Sequence, residues 1–139
     1  MHNKLNELGC TRKPEQEYMT KYIHPRKKGQ AFATVYAAED LYFLSESEKE
    51  QKLVFKFNLR NIGGYADYLG KCVESIRHTV LQTTDCYGCK KACGGIRLQF
   101  AGKEYAKCLW YAFRFMDLSE QAVMNYLKLI ELEHEILMK

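Results

Sequence analysis

The sequence predicts an α+β domain: an antiparallel sheet of about five strands, two main helices, and a loop and hairpin that carry four cysteines. Three stretches predict it. In Leu53-Val54-Phe55-Lys56-Phe57-Asn58-Leu59 every second residue is a large hydrophobe, the period of a half-buried strand. Over residues 62–82, Tyr65, Leu69, Cys72, Val73, Ile76 and Val80 fall at helical spacing and make one apolar stripe. Asp85-Cys86-Tyr87-Gly88-Cys89-Lys90-Lys91-Ala92-Cys93-Gly94-Gly95 is followed by alternating residues and then by Cys108. Short strands joined by tight turns pair antiparallel, and helices beside such a sheet complete an α+β arrangement.

Taken in order, residues 1–13 are expected to be loose. Pro14, Glu15 and Glu17 read as a helix start, since proline fits a first turn and acids favour its positive end. That helix is expected to reach about Ile23 and to stop before Pro25, leaving a basic loop whose Arg26, Lys27 and Lys28 belong to the expected binding surface. Residues 31–44 mix helix and strand formers; strands at 31–37 and 41–45 are preferred because a polar turn and the 53–59 strand follow. After the cysteines, Ile96–Phe100 alternates, Ala101-Gly102-Lys103 supplies a turn, and Glu104–Phe115 resumes as a long aromatic strand. Asp117 and Glu120 resemble a capping box. The helix they open is expected to run to about Leu137, burying Val123, Tyr126, Leu127, Ile130 and Leu137.

With 139 residues, the chain has the length of one domain and enough apolar surface to fold without obligatory staples. Ten tyrosines and 47% hydrophobic residues argue against disorder. No run approaches the roughly 18 apolar residues of a membrane span, and Met1–Lys13 lacks the apolar centre of a secretory signal. A cytoplasmic location without membrane contact is therefore expected, and there clustered thiols stay reduced and bind metal more readily than they pair.

The cysteines are spaced Cys86-x2-Cys89-x3-Cys93-x14-Cys108. A Cys-x2-Cys turn supplies two sulfurs to one zinc ion, half of a structural site. If the following hairpin turns at Gly102-Lys103, paired positions sum to about 205, and Cys108 returns opposite Arg97 beside the other three sulfurs. Residues 86–115 are thus expected to form a zinc-ribbon-like element with Cys86, Cys89, Cys93 and Cys108 as ligands. Four thiolates leave no open metal position for substrate water, so the metal would be structural and the chain a binding or regulatory module. Its partner would be a protein or a small-molecule ligand, with nucleic acid possible.

Two alternatives use the same residues: a redox or iron–sulfur protein built on these four cysteines, or a zinc-stabilised nucleic-acid-binding module. Residues 86–114 hold six Lys or Arg against Glu104 alone. That charge is explained by a metal site of net charge −2, although basic zinc modules also bind nucleic acid. Cys72 reads as a core residue, Cys10 is given no role, and the four histidines read as isolated surface residues. Asp85 is expected to accept backbone N–H bonds in the cysteine turn. In the aromatic stretch, Leu109, Tyr111, Phe113 and Phe115 form the expected core face, and Trp110 and Arg114 the expected binding surface. No phosphate loop, nucleophile elbow or zinc-protease motif is present, and no catalytic residue is assigned.

Overall fold

A computed structural model describes residues 1–16, 19–27, 29–37, 53–88 and 93–139. Its main sheet has five strands in the order β1 (Thr11–Gln16), β2 (Met19–Ile23), β3 (Ala31–Ala37), β4 (Leu53–Phe57) and β7 (Arg114–Phe115). Every pairing in it is antiparallel. A separate hairpin joins β5 (Ile96–Phe100) to β6 (Lys103–Lys107). Helices α1 (His2–Glu7), α2 (Glu74–Gln82) and α3 (Glu120–Met138) complete the α+β architecture. No helix among the described residues is long and apolar enough to cross a membrane.

The expected helix at 14–23 is instead the edge hairpin of the sheet. β1 is an outer strand, where proline costs no ladder bond toward a further neighbour. The register shifts between Pro14 and Gln16, a bulge that accommodates the ring. Residues 1–13, expected to be loose, form α1 and the start of β1, with Leu5 fully buried. The strand at 31–37 is present as β3, whereas that expected at 41–45 lies outside the described residues. In β4, Phe55 and Phe57 face the core with Leu59 just beyond, while Leu53 is exposed at the strand's start.

The expected continuous helix over 62–82 is broken. Ile62–Gly64 and Ala66–Lys71 are 3-10 segments, Cys72 and Val73 are extended, and only 74–82 is α-helical. Gly63, Gly64 and Gly70 weaken α-helical preference there. Gly63 also meets β5 so closely that a Cβ would lie 2.5 Å from the Arg97 carbonyl oxygen. The interruption is pinned by α3: Asn125 Oδ1 accepts from the Val73 N–H at 3.0 Å, while its amide nitrogen donates to the Tyr68 hydroxyl at 3.2 Å. Arg77 donates to the Cys72 carbonyl. Tyr65, Leu69, Cys72, Ile76 and Val80 of the expected stripe are buried all the same.

The long strand expected over 104–115 divides. β6 ends at Lys107, residues 108–113 turn, and β7 joins the other sheet beside β4. Phe113 and Phe115 enter the core as expected, while Tyr111 is exposed and Ala112 is buried. Helix α3 is capped by Ser119, whose hydroxyl accepts from the Ala122 N–H at 3.3 Å. Asp117 lies two residues earlier and accepts from the Ser119 N–H at 2.9 Å, so the expected capping box is displaced.

The core lies between α3 and the five-stranded sheet. Tyr126 is fully buried against the rings of Phe55, Phe57 and Phe115, with centroids 5.1–5.8 Å away. Its hydroxyl donates to the Asp117 carbonyl at 2.8 Å, so the ring is buried without stranding its polar end. The helix also buries Glu133, whose carboxylate accepts from the Asn61 backbone N–H at 3.1 Å, the Asn61 amide at 2.8 Å and the Tyr65 hydroxyl at 2.6 Å. Burial holds that carboxyl above its ordinary range despite these bonds, and burial beside it pushes the Tyr65 phenol well up. His24, expected at the surface, is fully buried. Its Nδ1 accepts from the Arg26 N–H at 3.0 Å, which leaves Nε2–H to donate to His134 Nδ1 at 2.8 Å.

Candidate functional site: the cysteine loop and an aromatic–basic groove

The hairpin register places the cysteines. β5 and β6 pair with positions summing to 203: Ile96 opposes Lys107 and Arg97 opposes Ala106. Cys108 therefore lies beyond the last pair, level with Gly95 rather than with Arg97 as expected. On the other side of β6, Asp85 bridges Lys107, with the Cys86 N–H donating to Ala106 at 2.8 Å and the Cys108 N–H donating to Thr84 at 2.7 Å. The end of β6 thus runs between β5 and residues 84–86. Residues two apart in a strand share a face, so Ala106 and Cys108 point the same way. Cys86, opposite Ala106, joins them as a diagonal neighbour of Cys108.

Glycine closes this arrangement. Gly94 and Gly95 have φ of +64° and +72°, a region L side chains disfavour. A Cβ on Gly95 would lie 2.7 Å from Cys86 Cβ, 2.8 Å from the Lys107 carbonyl oxygen and 3.2 Å from Cys86 Sγ. The backbone leading from Cys93 into β5 therefore rests directly on Cys86. Cys93 in turn lines a groove together with Cys108.

Cys89, Lys90 and Lys91 lie outside the described residues. Among the described residues, no group of three or more His, Cys, Asp or Glu side chains is gathered as a metal-holding set. Cys10 and Cys72 take no part: both are buried in the core, and burial pushes each thiol up to about 11. Cys72 as a core residue agrees with the sequence reading. Among the cations expected to compensate the sulfurs, Lys107 has another task. It is only 2% exposed and points to the opposite face, donating to the Leu81 carbonyl at 2.6 Å and to Asp85 at 2.8 Å. Asp85 therefore pairs with a lysine, where backbone N–H partners were expected.

The groove beside Cys93 and Cys108 encloses about 800 Å³. Strand β2 contributes Lys21, β3 contributes Ala31 and Thr34, and β4 contributes Lys56, with Asn58 and Arg60 just after it. Tyr87 comes from the cysteine loop, and Leu109 to Ala112 from the turn that leaves β6. Trp110 is 79% exposed and Tyr87 68% exposed, and both line this groove. Lys56 Nζ donates to the Trp110 carbonyl at 3.1 Å, tying the aromatic turn to β4. Burial, then the charges of Arg114 and Lys21, hold the Lys56 ammonium below its ordinary range. Lys21 is paired with Glu15 at 3.5 Å. No acidic residue lines the groove among the described residues. On its wall, Asn58 Nδ2 donates to the Ala31 carbonyl at 3.4 Å, and its Oδ1 has no hydrogen-bond partner among the described residues.

Of the expected binding surface, Trp110 stands at the groove and Arg114 lies on β7, paired in register with Lys56. Arg26 and Lys27 are not among the lining residues, and Lys28 lies outside the described residues. Their loop is instead folded around His24, with the Lys27 N–H donating to the His24 carbonyl at 3.0 Å. Lys21, Lys56, Arg60 and Tyr87 were not singled out from the sequence. They come from separate elements, and only Tyr87, an aromatic inside the cysteine loop, carried a local signal. No known family model, curated protein or solved structure matches the chain, so its function rests on this geometry.

Proposed function

We propose that the chain is a zinc-stabilised binding module, in which Cys86, Cys89, Cys93 and Cys108 hold one structural zinc ion and the adjoining groove receives the ligand. One observation carries this reading: the β6 ladder turns Cys86 and Cys108 to one face, and the Cys93-to-β5 backbone is pressed onto Cys86 through Gly95. The Cys-x2-Cys spacing then supplies Cys89 from the same loop. Metal binding and the folding of its ligand loop are one process, so the ion would draw in thiolates that the polypeptide alone leaves apart. A closed four-sulfur site would act as a staple, holding the loop with Tyr87 against the turn with Trp110, and thereby setting the shape of the groove.

Elemental analysis of protein purified under reducing conditions tests the reading. One zinc per chain is expected, lost in each of Cys86→Ser, Cys89→Ser, Cys93→Ser and Cys108→Ser and kept in Cys72→Ser. Free zinc at a thousand times its dissociation constant stabilises by about 4 kcal/mol. With unfolding entropy near 2.1 cal/mol/K per residue, chelation should lower Tm by roughly 14 °C. Absence of stoichiometric metal refutes the proposal. A brown protein with broad visible absorption would replace it with an iron–sulfur centre on the same cysteines.

A further inference from the structure

We propose that the groove binds single-stranded nucleic acid, with bases stacked on Trp110 and Tyr87 and phosphates held by Lys21, Lys56 and Arg60. The inference names the ligand of the groove taken above as the binding surface, and it needs no contribution from the metal. Three features converge. First, the exposed aromatic side chains of Trp110 and Tyr87 line the same groove, although burying such rings is strongly favourable. Flat, exposed rings beside cations are stacking platforms that accept any base. Second, Lys56 and Arg60 line the same space together with Lys21, whose ammonium also reaches Glu15 at 3.5 Å, and no acid is among the described lining residues. Lys56 is held there despite desolvation and the nearby charges of Lys21 and Arg114, an electrostatic cost that an anion would relieve. Third, the groove is open and about 800 Å³, with Lys21 on β2 separated by one strand from Lys56 on β4, to which the Trp110 turn is tied, a spread that suits a chain of alternating bases and phosphates. A duplex hides its base faces and cannot use the aromatic rim.

Trp110 is the only tryptophan, so its fluorescence reports stacking directly. The full chain is titrated with a 12-nucleotide single strand, the corresponding duplex, a mononucleotide and heparin, and each is followed by tryptophan emission and by anisotropy of labelled strand. The strand is expected to quench Trp110 and to bind more tightly than duplex or mononucleotide. Trp110→Ala should weaken strand binding by roughly 5- to 150-fold, the range for one stacked base. Three phosphate contacts predict a slope of log affinity against log salt near −2, falling by about 0.7 in Lys56→Gln. Arg97→Gln, on the exposed face of β5, should leave affinity within about twofold, and circular dichroism confirms that each variant is folded.

Four results overturn the proposal: no strand binding up to about 0.1 mM, the weak end of non-specific affinity; equal binding of mononucleotide, which would make the site a nucleotide pocket; equal binding of duplex or heparin without quenching; or strand binding unchanged in both groove variants. Zinc content is measured on the same samples. A zinc-loaded protein that ignores the strand removes the ligand and leaves the metal reading intact. A metal-free protein that still binds does the reverse.

Discussion

Gly94 and Gly95 sit side by side with nearly the same positive φ, yet among the described residues only a Cβ on Gly95 would meet a neighbour. Among the described residues, alanine at Gly94 meets nothing within 4 Å, so its cost there is conformational, about 1–2 kcal/mol for an L residue in the left-handed region. Alanine at Gly95 bears the same cost and also drives a Cβ to 2.7 Å from Cys86 Cβ and 2.8 Å from the Lys107 carbonyl oxygen. Ordinary carbon contacts are at about 3.5–4.0 Å, and overpacking of this kind costs about 1–3 kcal/mol. The total for Gly95→Ala is therefore about 2–5 kcal/mol. For 139 residues, unfolding entropy is roughly 290 cal/mol/K, or about 3.4 °C of Tm per kcal/mol. Gly95→Ala should lower Tm by about 7–17 °C and Gly94→Ala by about 3–7 °C, in calorimetry or by circular dichroism at fixed zinc. The neighbouring pair cancels the backbone contribution, and the difference reads the contact with Cys86. Equal losses in the two variants would refute the packing of the Cys93-to-β5 backbone on the cysteine face.

Other expectations concern α3. Tyr65→Phe removes one of the bonds to the buried Glu133 carboxylate and should cost about 1.5–3 kcal/mol in urea denaturation; a loss below about 0.5 kcal/mol would show that the hydroxyl contributes nothing to holding the charge. His24 titrates below its ordinary range, because burial and then the neighbouring His134 disfavour its protonated form. A base whose pKa is lower when folded binds fewer protons folded than unfolded, so stability is full above the unfolded value near 6.5 and falls as pH drops through the window beneath it. His24→Asn can still accept the Arg26 N–H but does not titrate there. Its denaturation midpoint should change less than that of the parent chain between about pH 6.5 and 5, and parallel profiles would exclude His24 as the sensitive group.

The alternation around Phe55 and Phe57, the hairpin after the cysteines, and the helix containing Tyr126 were all readable because each writes a local period into consecutive residues. So was the cysteine spacing, although local spacing does not place Cys89 relative to the others. Errors arose where one pattern serves two structures. Apolar residues three apart suit an α-helix or a 3-10 turn alike, and what divides the segment from Ile62 to Val80 is the contact of Gly63 with β5 and of Asn125 with Val73, neither written locally. Pro14 with its acids fits a helix start, but pairing with β2 and β3 makes it an edge strand. His24 gave no sign of burial, since its partner His134 is 110 residues away.

Local pattern in the chain was enough for an α+β class with an antiparallel sheet, for naming the four candidate sulfur ligands and for the prominence of Trp110. Long-range packing set the register that carries Cys108 level with Gly95, the turning of Lys107 away from the cysteine face, and the meeting of Lys21, Lys56, Arg60, Tyr87 and Trp110 at one groove. The two differ in range. Period and spacing act between neighbours in the chain, whereas a ladder register is chosen by which faces can be buried together, and a groove by which strands then lie side by side.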